Sequence, residues 1–116
     1  MSEDIFTTGS GNIFVDLGFS EEEAAELTIK SCLFTILQKA INKALETNTQ
    51  AEVAECLGVD QPIISKIMND RMSGFSVERI ANYLLRLHYD ICLEAHPAPV
   101  ERSGRVIPTK ENLAAA

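Results

Sequence analysis

Positive charge is scarce in this sequence: Lys and Arg number 10 against 17 Asp and Glu, giving a formal charge of -7 and a pI near 4.7. Long-range attraction to a phosphate backbone cannot be assumed, so any nucleic-acid contact must be built locally. Long apolar runs are missing too. No stretch approaches the roughly 18 to 20 consecutive apolar residues that a membrane span requires. The opening MSEDIFTTGS is acidic where a secretion signal would be basic and then apolar, so a cytoplasmic location is expected. Cysteine is sparse: Cys32, Cys56 and Cys92 are odd in number, far apart and set among apolar neighbours, which suits buried reduced thiols rather than disulfides or a zinc site. His88 and His96 have no spaced Cys, Asp or Glu that would complete a ligand set, so both are expected at the surface or at helix ends. There is no glycine-rich phosphate loop and no His beside a plausible nucleophile, and neither catalysis nor a cofactor is expected.

What is present is ordinary globular composition, 46% hydrophobic and 23% charged over 116 residues, enough for one core and one domain. The acidity is uneven. Residues 1–48 hold 3 basic and 8 acidic side chains, residues 49–90 hold 4 and 6, and residues 91–116 hold 3 and 3. Residues 1–18, with Gly9, Gly11 and Gly18 among Thr and Ser, read as an arm whose Ile13, Phe14, Val15 and Leu17 form an apolar knot able to dock. Residues 19–96 read as the domain, and residues 97–116, polar and broken by proline, as a flexible tail.

Ser20-Glu21-Glu22-Glu23 is a capping box, in which a Ser oxygen and a Glu three residues later satisfy each other's backbone amides, so a helix begins there. From Glu21 to Thr47 there is no Gly or Pro, and Leu27, Ser31, Phe34, Gln38, Ile41 and Leu45 recur at helical spacing. Unbroken, such a helix would run roughly 40 Å. It must either bend near Thr28 to Ser31 or project an apolar turn for a partner. Thr49 caps Gln50 to Leu57, which ends at Gly58; Asp60 caps Gln61 to Asn69, with Pro62 tolerated in the first turn; Ser76 caps a run to Leu87, with Phe75 placed to staple onto Ile80. Residues 89–95 switch to period two, with Tyr89, Ile91 and Leu93 on one face, which predicts a strand. A lone strand cannot satisfy its ladder groups, so pairing across a homodimer is the expected solution. The expected architecture is therefore an all-α bundle of four to five helices closed by one short C-terminal β-strand.

The run QAEVAECLGVDQPIISKIMN, residues 50–69, points to a specific task. Val53, Ala54, Leu57, Ile64 and Ile67 fall on inward positions, Val59 plugs the corner, and Gly58 supplies a turn at a close helix crossing. Left outward are Gln61, Pro62, Ser65, Lys66 and Asn69, joined by Gln50 before them and Arg71 after them. This polar set can read bases and phosphates beside a helix N-terminus. A plain helical hairpin with a solvated polar face is the simpler alternative.

This run resembles the helix-turn-helix of the Cro and phage-repressor class, the XRE family. With residues 12–19, Glu23 to Leu27, Gly74-Phe75-Ser76 and Leu87 to Ile91, it is similar to a subgroup that includes HigA-type antitoxins, over roughly residues 12–99. The resemblance implies a dimeric cytoplasmic repressor that binds double-stranded operator DNA through the major groove, often encoded beside a RelE-like toxin ribonuclease. Asp70 stands where relatives usually have Gly after the recognition helix, and His88 where they usually have Gly before the strand; both can occupy left-handed conformations at some cost, so these departures bear on local geometry more than on the fold. The acidic run Glu21 to Glu26 reads as a solvated helix start or as a surface for a basic toxin. The competing classes are a stand-alone regulator with no toxin, and an interaction adaptor that keeps the fold without binding DNA. The Leu113-Ala114-Ala115-Ala116 end is similar to tails that bacterial proteases recognise.

Overall fold

The computed structural model describes residues 13–108. Five helices form: α1 (Ile13–Asp16), α2 (Glu21–Ala44), α3 (Gln50–Leu57), α4 (Gln61–Met68) and α5 (Val77–Arg86). Ser20, Thr49 and Ser76 start α2, α3 and α5 as their caps dictate. The first two complete full capping boxes, with Glu23 N–H donating to Ser20 Oγ at 3.2 Å and Glu52 N–H to Thr49 Oγ1 at 3.1 Å. The same box holds the Glu23 carboxyl below its ordinary 4.5, first through the Ser20 amide and then through the Ser20 hydroxyl. Asp60 departs from expectation: it occupies the cap position of α4, but its side chain makes no capping hydrogen bond.

The long helix has no break near Thr28 to Ser31, and its first half is not left bare: it packs with α1, and Ala24 and Thr28 are buried. The 24 residues of α2 run unbroken, about 36 Å at 1.5 Å per residue. The polar residues inside it are satisfied locally, Thr28 Oγ1 donating to the Ala24 carbonyl at 2.7 Å and Thr35 Oγ1 to Ser31 at 2.9 Å, which is why Thr28 can be fully buried. The first turns of α2 pack with α1, and there the rings of Phe14 and Phe19 meet edge-on at 6.3 Å. The second half enters the core. Phe34, Leu37, Ala40 and Ile41 pack with Val53, Ala54 and Leu57 of α3, Ile64 and Ile67 of α4, Phe75, and Ile80, Tyr83 and Leu84 of α5. Arg79 covers one edge, its guanidinium 4.9 Å from the Phe75 ring and its Nε donating to Tyr83 Oη at 2.6 Å.

Four of these helices end the same way. A residue in the left-handed region donates its amide three residues back, and the next residue donates five back, which satisfies carbonyls that the helix leaves open. The left-handed residues are Gly18, Gly58, Asp70 and His88, at φ 100°, 72°, 61° and 68°. Asp70 and His88 thus take the conformation their positions require without being glycine. At Gly58 the positive φ is the constraint, since the nearest atom to an added Cβ, Arg86 Nη1 at 2.8 Å, ends a flexible side chain that can move aside.

The expected strand does not form. Among the described residues none is in a strand, and 89–95 carry no regular structure. A strand exists only through ladder hydrogen bonds, and no described segment offers an edge. The Tyr89 amide is instead spent on the end of α5, donating to the Leu84 carbonyl at 3.0 Å. Tyr89 and Ile91 pack against their own core, whereas Leu93 is 88% exposed. The period of two is real for two residues and then loses its buried face.

The thiols also depart from expectation. All three are free, but Cys56 and Cys92 are exposed and only Cys32 is half-buried. The apolar neighbours of Cys56 face the core while its own position turns outward, where Sγ donates to the Arg86 carbonyl at 3.3 Å. Burial pushes the Cys32 thiol up. His88 lies at the end of α5 and His96 is exposed, 3.6 Å from Glu94. Residues 97–108 are mostly exposed, with one turn at Pro99 to Arg102. The first twelve residues and the 109–116 end, with its alanines, lie outside the described residues.

Candidate nucleic-acid interface

Two short helices joined by Gly58, Val59 and Asp60 form the candidate site. Their inner faces behave as their spacing demands: Val53, Ala54, Leu57, Ile64 and Ile67 are each at most 4% exposed. With those positions committed to the core and Ile63 and Met68 half-buried beside them, the polar side chains of α4 face solvent. Gln61 and Pro62 open the helix, Ser65 and Lys66 follow one turn later, and Asn69 closes it, all exposed.

All seven predicted contact residues come together. Gln50, at the start of α3, lines the same open hollow as Gln61, Pro62, Ser65, Lys66, Asn69 and Arg71. Two of the seven are cations and none is an acid, so the most acidic part of the sequence is not represented. The hollow presents amides and a hydroxyl able to match base edges, flanked by charges able to meet phosphates. At the start of α4, Asp60 occupies the cap position without a side-chain hydrogen bond and Pro62 supplies no N–H.

Arg71 reaches this face through the end of α4. Asp70 turns left-handed, and the Arg71 amide returns to the Lys66 carbonyl at 3.1 Å, which brings the two cationic residues together. One participant escaped the sequence reading. Gln38 of α2 donates through Nε2 to the Ile67 carbonyl at 2.7 Å and to Asp70 Oδ1 at 2.6 Å. Its place on the helical stripe had marked it as inward-facing, but nothing in the sequence links it to a residue 32 positions away. Of the residues expected at a dimer contact, Tyr89 and Ile91 are half-buried against the core and Leu93 is 88% exposed. Among the described residues no cluster of His, Cys, Asp and Glu could hold a metal, and no helix is long and apolar enough to cross a membrane.

A family of helix-turn-helix domains matches residues 13–95, most of the chain. The chain is also similar to a solved structure named for the XRE family of transcriptional regulators, at 33% identity and a TM-score of 0.62, over 72% of this chain and 93% of that one. No curated protein matches.

Proposed function

From the chain's membership of the XRE-type helix-turn-helix family, and hence among DNA-binding transcriptional regulators, we propose that it is a sequence-specific repressor that binds its own operator as a homodimer in the cytoplasm. The convergence of Gln50, Gln61, Ser65, Lys66, Asn69 and Arg71 on one hollow, with no carboxylate among its lining residues, is the observation that carries this reading. In a major groove with its N-terminus towards the bases, α4 offers Gln61 as the main base reader, since an amide can pair in two places with adenine N6 and N7. Ser65 and Lys66 reach a base edge or a phosphate one turn later, and Gln50 holds a phosphate at the start of α3. Twofold symmetry sets two such helices against half-sites about 34 Å apart.

An antitoxin role is the finer form of this proposal. It is supported by Glu21, Glu22 and Glu26, exposed in the first turns of α2 beside exposed Leu17 and Phe19, a surface suited to a basic partner such as a RelE-like ribonuclease. The test is a gel shift of a fragment carrying the gene's own promoter against a scrambled fragment, at about 50 and 200 mM salt. With Lys66 and Arg71 as the cations, a dimer neutralises about four phosphates, so affinity should fall by about two orders of magnitude over that range. Equal affinity for both fragments, or none for either, would favour the adaptor reading and defeat this one.

A further inference from the structure

The end of α4 differs from the other helix ends in what it brings together. In a left-handed helix ending of this kind, the residue after the turn meets the side chain five positions earlier, and the pair is usually apolar. Phe19 with Phe14, Val59 with Ala54 and Tyr89 with Leu84 follow that habit. On α4 the pair is Arg71 with Lys66. Two cations repel, so this pair gives the turn no apolar support of the usual kind.

The support comes from α2. Gln38 spends one amide group on two acceptors at this end, the Ile67 carbonyl and the Asp70 carboxylate, both within 2.7 Å. The first bond satisfies a carbonyl of the last turn. The second grips the left-handed residue itself, which at φ 61° has no preference for that conformation comparable to glycine's. Because Gln38 lies within the core half of the unbroken helix α2, the grip ties the end of α4 to a helix anchored in the core. The Asp70 carboxylate, which would otherwise stand free between two phosphate-binding cations, is also held by a donor on the core side.

We infer that Gln38 and Asp70 form a positioning latch for DNA binding: they touch no DNA themselves but hold Arg71 against Lys66 so that both meet the phosphate backbone from each subunit. The inference rests on the DNA-binding reading above. Three variants separate positioning from charge and from folding. Asp70→Asn keeps the acceptor and loses the charge, Asp70→Gly loses both but suits the left-handed turn better, and Gln38→Ala loses the donor and keeps the charge. Binding to the promoter fragment is measured by fluorescence anisotropy across a salt series, with thermal unfolding followed in parallel. Asp70→Asn should bind at least as tightly as the unaltered protein. Asp70→Gly should melt no lower than Asp70→Asn yet bind about fivefold or more weakly than it, the effect of one lost hydrogen bond. Its salt slope, like that of Gln38→Ala, should be shallower by about 0.9 for each phosphate contact released. If Asp70→Gly and Asp70→Asn bind alike with one salt slope, or if affinity merely follows melting temperature, the latch is refuted and DNA binding stands. An unaltered protein that does not bind the promoter refutes both.

Discussion

Gln61→Ala is the sharpest test of how the interface reads sequence. Gln61 is the first residue of α4 and is exposed, and Ala is at least as good a helix former, so the substitution leaves the core formed by Ile64 and Ile67 intact. Its cost should therefore appear in recognition. A two-point amide contact to adenine is worth about 1 to 3 kcal/mol of discrimination, and a symmetric dimer loses it in both half-sites, about 2 to 6 kcal/mol, or at least about thirtyfold in cognate affinity. Non-specific affinity and the salt slope should not move, because no phosphate contact is lost. Lys66→Ala should behave in the opposite way, weakening cognate and scrambled fragments alike and lowering the dimer's salt slope by about 1.8. Titrating both variants against operator fragments substituted one base pair at a time would resolve the two effects. A Gln61→Ala protein with unaltered operator affinity and base preference would place the reading face elsewhere.

Ile64→Ala removes a side chain that is 0% exposed between α2 and α4, and should destabilise the domain by about 2 to 5 kcal/mol in urea unfolding followed by circular dichroism. Ser20→Ala removes the hydroxyl and loosens the reciprocal box, so the Glu23 carboxyl should titrate closer to 4.5 in NMR. In the unaltered protein that carboxyl is depressed, so its support for the start of α2 is complete above 4.5 and is lost as pH falls through the lower folded value. Iodoacetamide should modify Cys56 and Cys92 in the native protein while Cys32, half-buried and with its thiol pushed up, reacts only after denaturation; mass spectrometry showing Cys32 modified first would contradict the packing of α2.

The elements most legible in the sequence were those governed by local chemistry. Ser20, Thr49 and Ser76 announce helix starts because an oxygen three residues from an open amide can bond it, whatever the tertiary context. The left-handed turns at Asp70 and His88 fall where the resemblance places glycine, and the structure shows both residues in that conformation. The outward residues of α4 followed by subtraction from the apolar spacing. What failed depended on partners distant in sequence. The alternation at Tyr89 and Ile91 reports burial against the chain's own core, and burial alternates in an extended segment whether or not a ladder exists. Cys56 was judged by the company it keeps in sequence rather than by its angle on α3. The Gln38 latch could not be read at all, since one amide meeting acceptors 29 and 32 residues away leaves no periodic trace.

The continuity of α2 bears on how a chain of net charge -7 can approach DNA. Glu21, Glu22 and Glu26 sit in its first turns, and the helix meets the end of α4 at Gln38. From Glu26 to Gln38 the axis advances about 18 Å, more than twice the roughly 8 Å over which charges are felt at physiological salt. The unbroken helix sets the acids at that distance along its axis, while Lys66 and Arg71 line the hollow itself. Replacing Glu21, Glu22 and Glu26 with Gln should then barely change operator affinity at about 150 mM salt, yet raise it at about 10 mM, where the screening length grows to about 30 Å and spans the separation. Glu23 is left in place because it belongs to the capping box. A tenfold gain in affinity at physiological salt would mean that the acidic turns lie closer to the DNA than one straight helix permits.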